Sequence, residues 1–222
     1  MQKDFYAKKL YPLQDKILAN INNPGNNFYL TGGTALSRFY LNHRYSDDLD
    51  FFVNDDPSFT AQIQVIQNEL SKTFNLSVGK KEEKFARFFI ENDDLKLKME
   101  FINDVPFYLG EIKSFGIFSR VDNILNILSN KITAISDRDE PKDFADILYI
   151  FNNLQPTEPI NWESIFSSSS SKAAGIFPPL AAKKIEEFNI KSLSILNWVE
   201  SPNYDELNNV KEKILREIMG IS

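Results

Sequence analysis

The side chains best suited to chemistry are carboxylates. Ser46-Asp47-Asp48-Leu49-Asp50-Phe51-Phe52 sets Asp48 and Asp50 two positions apart among apolar residues. Along a strand, residues i and i+2 project to the same side, so Leu49 and Phe51 would face a core while both carboxylates share the opposite face. Like charges so close destabilise a sheet unless a cation compensates them, and Mg²⁺ typically takes one or two carboxylates together with substrate phosphate oxygens. A solvated strand end is the simpler reading of a bare Asp-x-Asp, but the apolar anchors favour a site. Leu95-Lys96-Leu97-Lys98-Met99-Glu100-Phe101 alternates in the same way and puts Glu100 on the polar face. There it is either a third carboxylate, as an in-line phosphoryl displacement on two metals requires, or the partner of a lysine on a neighbouring strand.

Two further groups of residues stand out. Gly32-Gly33-Thr34 lies between a predicted strand and a predicted helix, where glycines admit close backbone approach and the first N–H groups of the helix attract anions. It is neither a Walker A loop nor a dinucleotide fingerprint. Later, Lys131 precedes the charged stretch Arg138-Asp139-Glu140-Pro141-Lys142-Asp143-Phe144-Ala145-Asp146, in which Asp143 and Asp146 share one helix face. Capping and surface ion pairs are the plain reading of that stretch. His43, beside Arg44, reads as an exposed or substrate-facing residue rather than a general base.

Composition narrows the alternatives. The 222 residues contain no cysteine and one histidine, which excludes disulfide scaffolds, zinc fingers, iron–sulfur centres and thiol nucleophiles. A metal here must be a hard ion on oxygen ligands. The net charge of -6 conceals an asymmetry. Residues 1–45 hold six Lys/Arg and two Asp, whereas residues 46–70 hold six acids and no base. With 42% apolar residues, no long apolar run and no basic-then-apolar leader in Met1-Gln2-Lys3-Asp4, a soluble cytoplasmic protein without membrane association is expected.

The elements that must position these residues follow from periodicity. Phe5, Leu10, Leu13, Ile17 and Ile21 predict a helix that breaks at Asn22-Asn23-Pro24-Gly25-Asn26. Phe28–Leu30 predicts a strand, Thr34–Leu41 a helix and Asp48–Val53 a strand. Asp55-Asp56-Pro57 predicts an acidic cap with a first-turn proline, opening a helix through Phe59, Ile63, Ile66 and Leu70. Phe74–Val78, Phe85–Glu91 and Leu95–Ile102 read as strands, the last two joined by a turn at Asn92-Asp93-Asp94. From Asp122 onward the pattern is helical, with Pro141 opening one helix, Ser167–Ser171 forming a flexible surface loop, and Pro178-Pro179 marking another break. The expected fold is α+β: residues 1–115 a mixed α/β domain with a small mixed sheet, residues 116–222 an all-helical domain.

Leu30-Thr31-Gly32-Gly33-Thr34-Ala35-Leu36-Ser37 followed by Asp48-Leu49-Asp50-Phe51-Phe52 resembles the polymerase β-like nucleotidyltransferase superfamily, and within it the AbiEii/AbiGii toxins of type IV toxin–antitoxin and abortive-infection systems. Lys131-Ile132-Thr133-Ala134-Ile135-Ser136-Asp137-Arg138 and Lys142-Asp143-Phe144-Ala145-Asp146-Ile147-Leu148 resemble that family's paired late motifs. Beyond about residue 150 no motif aligns. The resemblance implies a nucleotidyltransferase domain with a helical domain after it, moving NMP from an NTP to a hydroxyl of RNA, in particular a tRNA acceptor end. It implies metal binding (Mg²⁺ or Mn²⁺) at Asp48 and Asp50 with Glu100 as third acid, and nucleotide binding by Gly32, Gly33, Thr34 and Ser37. It further implies triphosphate neutralisation by Lys131, completion of the site by Asp143 and Arg138, and an antitoxin protein as partner. Lys8, Lys9, Arg38 and Arg44, and the cluster Lys80, Lys81, Lys84 and Arg87, would steer a polyanion. Transfer to a protein or aminoglycoside-like hydroxyl, and a catalytically silent nucleotide- or antitoxin-binding protein, are the competing readings.

Overall fold

A computed structural model of the chain describes residues 2–23, 25–92, 95–154 and 159–220. In order, the elements are α1 (Gln2–Phe5), a π turn (Tyr6–Leu10), α2 (Tyr11–Ile21), β1 (Tyr29–Thr31), α3 (Gly32–Leu36) and a second π turn (Ser37–Leu41). Then come β2 (Leu49–Asn54), α4 (Phe59–Thr73), β3 (Asn75–Lys81), β4 (Phe85–Asn92) and β5 (Leu95–Asp104). The remaining elements are α5 (Ile124–Asp137), α6 (Pro141–Leu154), α7 (Trp162–Lys172), α8 (Pro178–Glu187), a 3₁₀ turn (Ile190–Ile195) and α9 (Tyr204–Met219). Asp93 and Asp94 of the expected β4–β5 turn, and Pro24 of the expected first break, lie outside the described residues. Among the described residues no helix is long and apolar enough to cross a membrane.

The chain divides into two compact units with interleaved segments: residues 1–35, 45–106 and 111–122 in the first, and residues 36–44, 107–110 and 123–222 in the second. The first unit is built on a mixed sheet of order β1-β2-β5-β4-β3, in which β2 and β5 run parallel and the other neighbours antiparallel. Period-2 patterning fixes its two faces. Leu49, Phe51 and Val53 on β2, Ala86, Phe88 and Ile90 on β4, and Leu97, Met99 and Phe101 on β5 are buried. Phe101 stacks on Phe51 at 5.0 Å and meets Phe28 edge-on at 5.2 Å. Each such ring contributes about 1.5–3 kcal/mol through burial. Ile17, Leu18, Ile63, Ile66 and Leu70 add the buried stripes of α2 and α4.

The helix predicted to open at Pro57 begins at Phe59 instead. Asp55 takes a left-handed conformation at φ 45°, so the acidic pair and the proline form a turn. Asp56 accepts from the Ser58 amide at 2.8 Å and the Ser58 hydroxyl at 2.6 Å. These and the Asn27 contact lower its pKa to about 2.

In the second unit, asparagines do the capping. Asn123, Asn161 and Asn203 each accept from backbone amides at the starts of α5, α7 and α9. The serine run is not a loop, because Ser167–Ser171 lie within α7. Serine is a poor helix former chiefly because its hydroxyl competes for backbone groups. Here the helix's own carbonyls absorb that competition: Ser171 donates to Ser167 O at 2.9 Å, and the buried Ser169 hydroxyl reaches Ile165 O at 2.9 Å and Ser129 O at 3.0 Å.

Candidate functional site

Strand register brings the first carboxylates together. Asp50 pairs with Thr31 on β1 and Glu100 on β5, and Glu100 pairs with Arg87 on β4, forming one row across the sheet. The alternation places this row on the face opposite Phe51 and Phe101. Asp48 immediately precedes β2, with Oδ2 2.9 Å from Lys98 Nζ. The Glu100 carboxylate takes Arg87 Nε at 2.7 Å and lies 3.5 Å from Lys98 Nζ. Asp48 and Lys98 keep 38% and 32% of their side-chain surface in solvent, so these charges remain reachable. Burial would lower the Lys98 pKa, but the carboxylates of Asp48, Glu100 and Asp50 together outweigh burial and raise it.

The segment leading into β2 is held by partners widely spaced in sequence. Tyr6 donates to Asp47 Oδ1 at 2.7 Å while stacking on Tyr45 at 4.0 Å. Gln14 Nε2 donates to the Asp47 carbonyl at 3.0 Å, and the Thr34 hydroxyl donates to the Asp48 carbonyl. Gly32 has φ +70°, and a Cβ there would lie 2.9 Å from Asp50 Oδ2. Only glycine brings the backbone so near the carboxylate without strain. Gly33 and Thr34 follow it in α3. The Ser37 hydroxyl, in the second unit, donates to the Arg44 carbonyl.

Asp48 and Asp50 match the donor chemistry of a hard divalent ion completed by phosphate oxygens. Among the described residues no group of three or more carboxylate or imidazole side chains is gathered to hold a metal, and Glu100 is occupied by Arg87 and Lys98.

The second unit holds a separate charge cluster formed by α5, α6 and His43-Arg44. Asp146, with no solvent exposure, accepts from Arg44 Nε at 2.7 Å and Nη2 at 2.8 Å, and also contacts His43 Nε2 at 2.9 Å and Lys131 Nζ at 2.7 Å. Lys131 Nζ lies 2.6 Å from Asp143, which is also paired with Arg138 Nε at 2.8 Å. Burial alone would raise the pKa of Asp146, yet the charges of Arg44 and Lys131 hold it well below the usual carboxylate range. Burial likewise opposes the charged forms of Asp143 and Lys131, and the ion pairs reverse both effects, lowering the first and raising the second. Arg138 keeps 52% of its side-chain surface in solvent and is the accessible cation of this cluster.

His43 and Arg44 correct the sequence reading. Both are 5% exposed, so His43 does not face substrate and Arg44 does not steer a polyanion. The cause is Asp146, a buried carboxylate that must be compensated. Burial lowers the His43 pKa against the opposing pull of Asp146, and its Nδ1 is buried without a hydrogen-bond partner.

Sequence reasoning missed Lys98, Tyr6 and Gln14 as partners of the acidic segment, and gave Asp146 no role of its own. Lys98 was within reach, since it shares the alternating face with Glu100. Tyr6 and Gln14 carry no local signal, because their contacts span 41 and 33 residues.

Residues 16–194 match the family model described as nucleotidyl transferase AbiEii toxin, type IV TA system. The match extends well past about residue 150, beyond which no motif aligns. An uncharacterised protein of Aquifex aeolicus, aq_aa25, is 27% identical over 158 residues, 64% of this chain and 68% of that one. The fold is similar to JHP933 from Helicobacter pylori, with TM-score 0.62, 18% identity and coverage of 97% of this chain and 93% of that one. It is also similar to MenT4, a nucleotidyltransferase toxin from Mycobacterium tuberculosis, with TM-score 0.63, 16% identity and coverage of 96% and 84%.

Proposed function

Because this chain belongs to the AbiEii family of nucleotidyltransferase toxins, we propose that it transfers NMP from an NTP to a hydroxyl of an RNA, in particular a tRNA acceptor end, and that an antitoxin protein restrains it. The observation that carries this reading is the row of Asp50 and Glu100 beside the backbone of Gly32, with Asp48 at the head of the same strand.

Asp48 and Asp50 would hold Mg²⁺, or Mn²⁺ in its place. Bound there, the ion would offset the phosphate charge that builds up as the leaving pyrophosphate separates. Backbone N–H groups of Gly32, Gly33 and Thr34, at the start of a helical run, would receive phosphate oxygens. The Thr34 and Ser37 hydroxyls, engaged with carbonyls, would act by fixing the backbone. Glu100 would take the proton of the attacking hydroxyl as its oxygen bonds to the α-phosphorus and the bond to the β-phosphate oxygen breaks. In the second unit, Asp143 fixes Lys131 and Arg138, the two cations that the family resemblance assigns to a triphosphate. Nucleotidyl transfer needs positioning and charge compensation rather than a covalent intermediate, so these groups suffice.

Incubation with labelled NTPs, Mg²⁺ and total RNA should label RNA, and the Asp48→Ala variant should not. Labelling that survives the substitution refutes the assignment. Protein or aminoglycoside acceptors in the same assay separate RNA from other hydroxyls.

A further inference from the structure

The sheet face that carries Asp50 and Glu100 continues across β4 and β3 as a surface of a different kind. Phe85, Arg87 and Phe89 of β4 and Lys96 of β5 lie on this face by strand alternation, and Phe85, Arg87 and Phe89 are only partly buried. Lys96 is exposed, and its ammonium lies 4.6 Å from the centre of the Phe89 ring. Arg87 and Lys80 lie 5.3 and 5.9 Å from the Phe85 ring. Gly79, where the β3–β4 register shifts, makes room for the Phe89 ring, since a Cβ there would come within 2.6 Å of its Cε2.

We infer that this face of β3, β4 and β5 is the platform for the single-stranded end of the acceptor RNA, with Phe89 and Phe85 stacking bases and Lys96 and Lys80 meeting the backbone. The inference rests on the RNA-directed reading above. Aromatic rings interleaved with cations on an open sheet suit unstacked bases joined by phosphates, because every base has a π face and every linkage a negative charge. A duplex has its bases sealed and gains nothing from the rings. The exposed Lys96–Glu91 and Lys80–Glu82 pairs are cheap to exchange for phosphate contacts. The same row runs on through Arg87 to Glu100 and Asp50, which leads a strand end toward the proposed chemistry.

The test is fluorescence anisotropy of the full chain with a labelled 12-nucleotide single-stranded RNA and with the same sequence as blunt duplex, alongside calorimetry of ATP with Mg²⁺. The single strand should bind more tightly than the duplex. Phe89→Leu should weaken single-strand binding roughly tenfold, and Phe89→Trp should retain it. Gly79→Ala, which displaces the ring while leaving every charge in place, should weaken it in the same direction. Lys96→Gln should lower the slope of log affinity against log salt by about 0.7. ATP binding should be unchanged in all four. Single-strand affinity that stays within twofold in Phe89→Leu and Gly79→Ala, or equal affinity for the duplex, overturns the platform while ATP binding leaves the transferase reading standing. Failure of the unaltered protein to bind any of the four NTPs in the same calorimetry would instead strike the transferase reading.

Discussion

The two units handle buried and half-buried charge in opposite ways. In the first, Asp48, Lys98, Glu100 and Arg87 form a chain of alternating sign on a sheet face, and the Asp48–Lys98 pair is about one-third exposed on each side. In the second, Asp146 has no solvent exposure and is surrounded by Arg44, His43 and Lys131. A charge left near water keeps its choice of partner and can exchange a lysine for a metal ion or a phosphate. A charge sealed in a low-dielectric interior must be compensated by fixed groups, and removing one strands the others. The first arrangement suits chemistry, and the sealed centre of the second, at Asp146, suits the fixing of helices.

The contrast breaks most readily at Asp146. Replacing it by alanine leaves Arg44 and Lys131 buried without their shared carboxylate, a loss of about 3–5 kcal/mol. A denaturant titration of the purified Asp146→Ala variant should show this as an early unfolding transition. A variant as stable as the parent would mean that the cluster is not an architectural element.

Asp50→Asn should do the reverse. The residue is partly exposed on the polar face of the sheet, so unfolding should shift by no more than about 1 kcal/mol. NTP-dependent labelling of RNA should fall by about 100-fold or more, the scale expected when a group aimed at transition-state charge is removed. A stability loss equal to that of Asp146→Ala would erase the distinction between the two clusters.

How far these roles could be read in advance depends on the range of the interactions. The strands and their faces were legible because period-2 alternation encodes them locally, whereas the meeting of Asp50 and Glu100 depends on the pairing of β2 with β5, which alternation does not encode. The charge patch from Arg138 to Asp146 was visible too, but its burial was not: nothing near His43 or Arg44 announces a carboxylate more than 100 residues away. The serine run misled for a related reason. Its composition signals a loop, whereas Ser169 is buried against Ser129, 40 residues earlier, and that contact overrides propensity. Leu36–Arg44 belonging with the second unit is equally a matter of distant partners.

Acid should sharpen the comparison next. The His43 pKa is lowered by burial, so the folded state favours the neutral ring while the unfolded chain binds a proton near pH 6.5. The unfolded state therefore gains protons first, and stability falls as pH drops below that value. Asp143 and Asp146, both lowered, add a second loss as pH falls through and below the ordinary carboxylate range. Lys131, raised, holds its contribution until the pH exceeds the ordinary lysine value. Melting temperatures measured from pH 7.5 to pH 5 should decline, and His43→Gln should flatten the part of that decline around pH 6. An undiminished slope in the variant would assign it to other groups.

The smallest effect concerns a neutral contact in the second unit. The Ser169 hydroxyl is buried and lies within hydrogen-bond distance of two carbonyls and of Ser129 Oγ at 3.1 Å. Ser169→Ala removes a competitor for backbone groups inside α7 and improves helix propensity, but it leaves Ser129 with one partner fewer in a dry environment. These terms oppose each other, and the unmet hydrogen bond, about 1 kcal/mol, should prevail over the few tenths gained from propensity. Ser170→Ala, at an exposed position of the same helix, gains the propensity without that loss and should stabilise slightly. Denaturation midpoints that move in opposite directions for the two variants would show that the second unit depends on sealed polar contacts as well as sealed charges. Equal midpoints would confine that dependence to Asp146 and its cations.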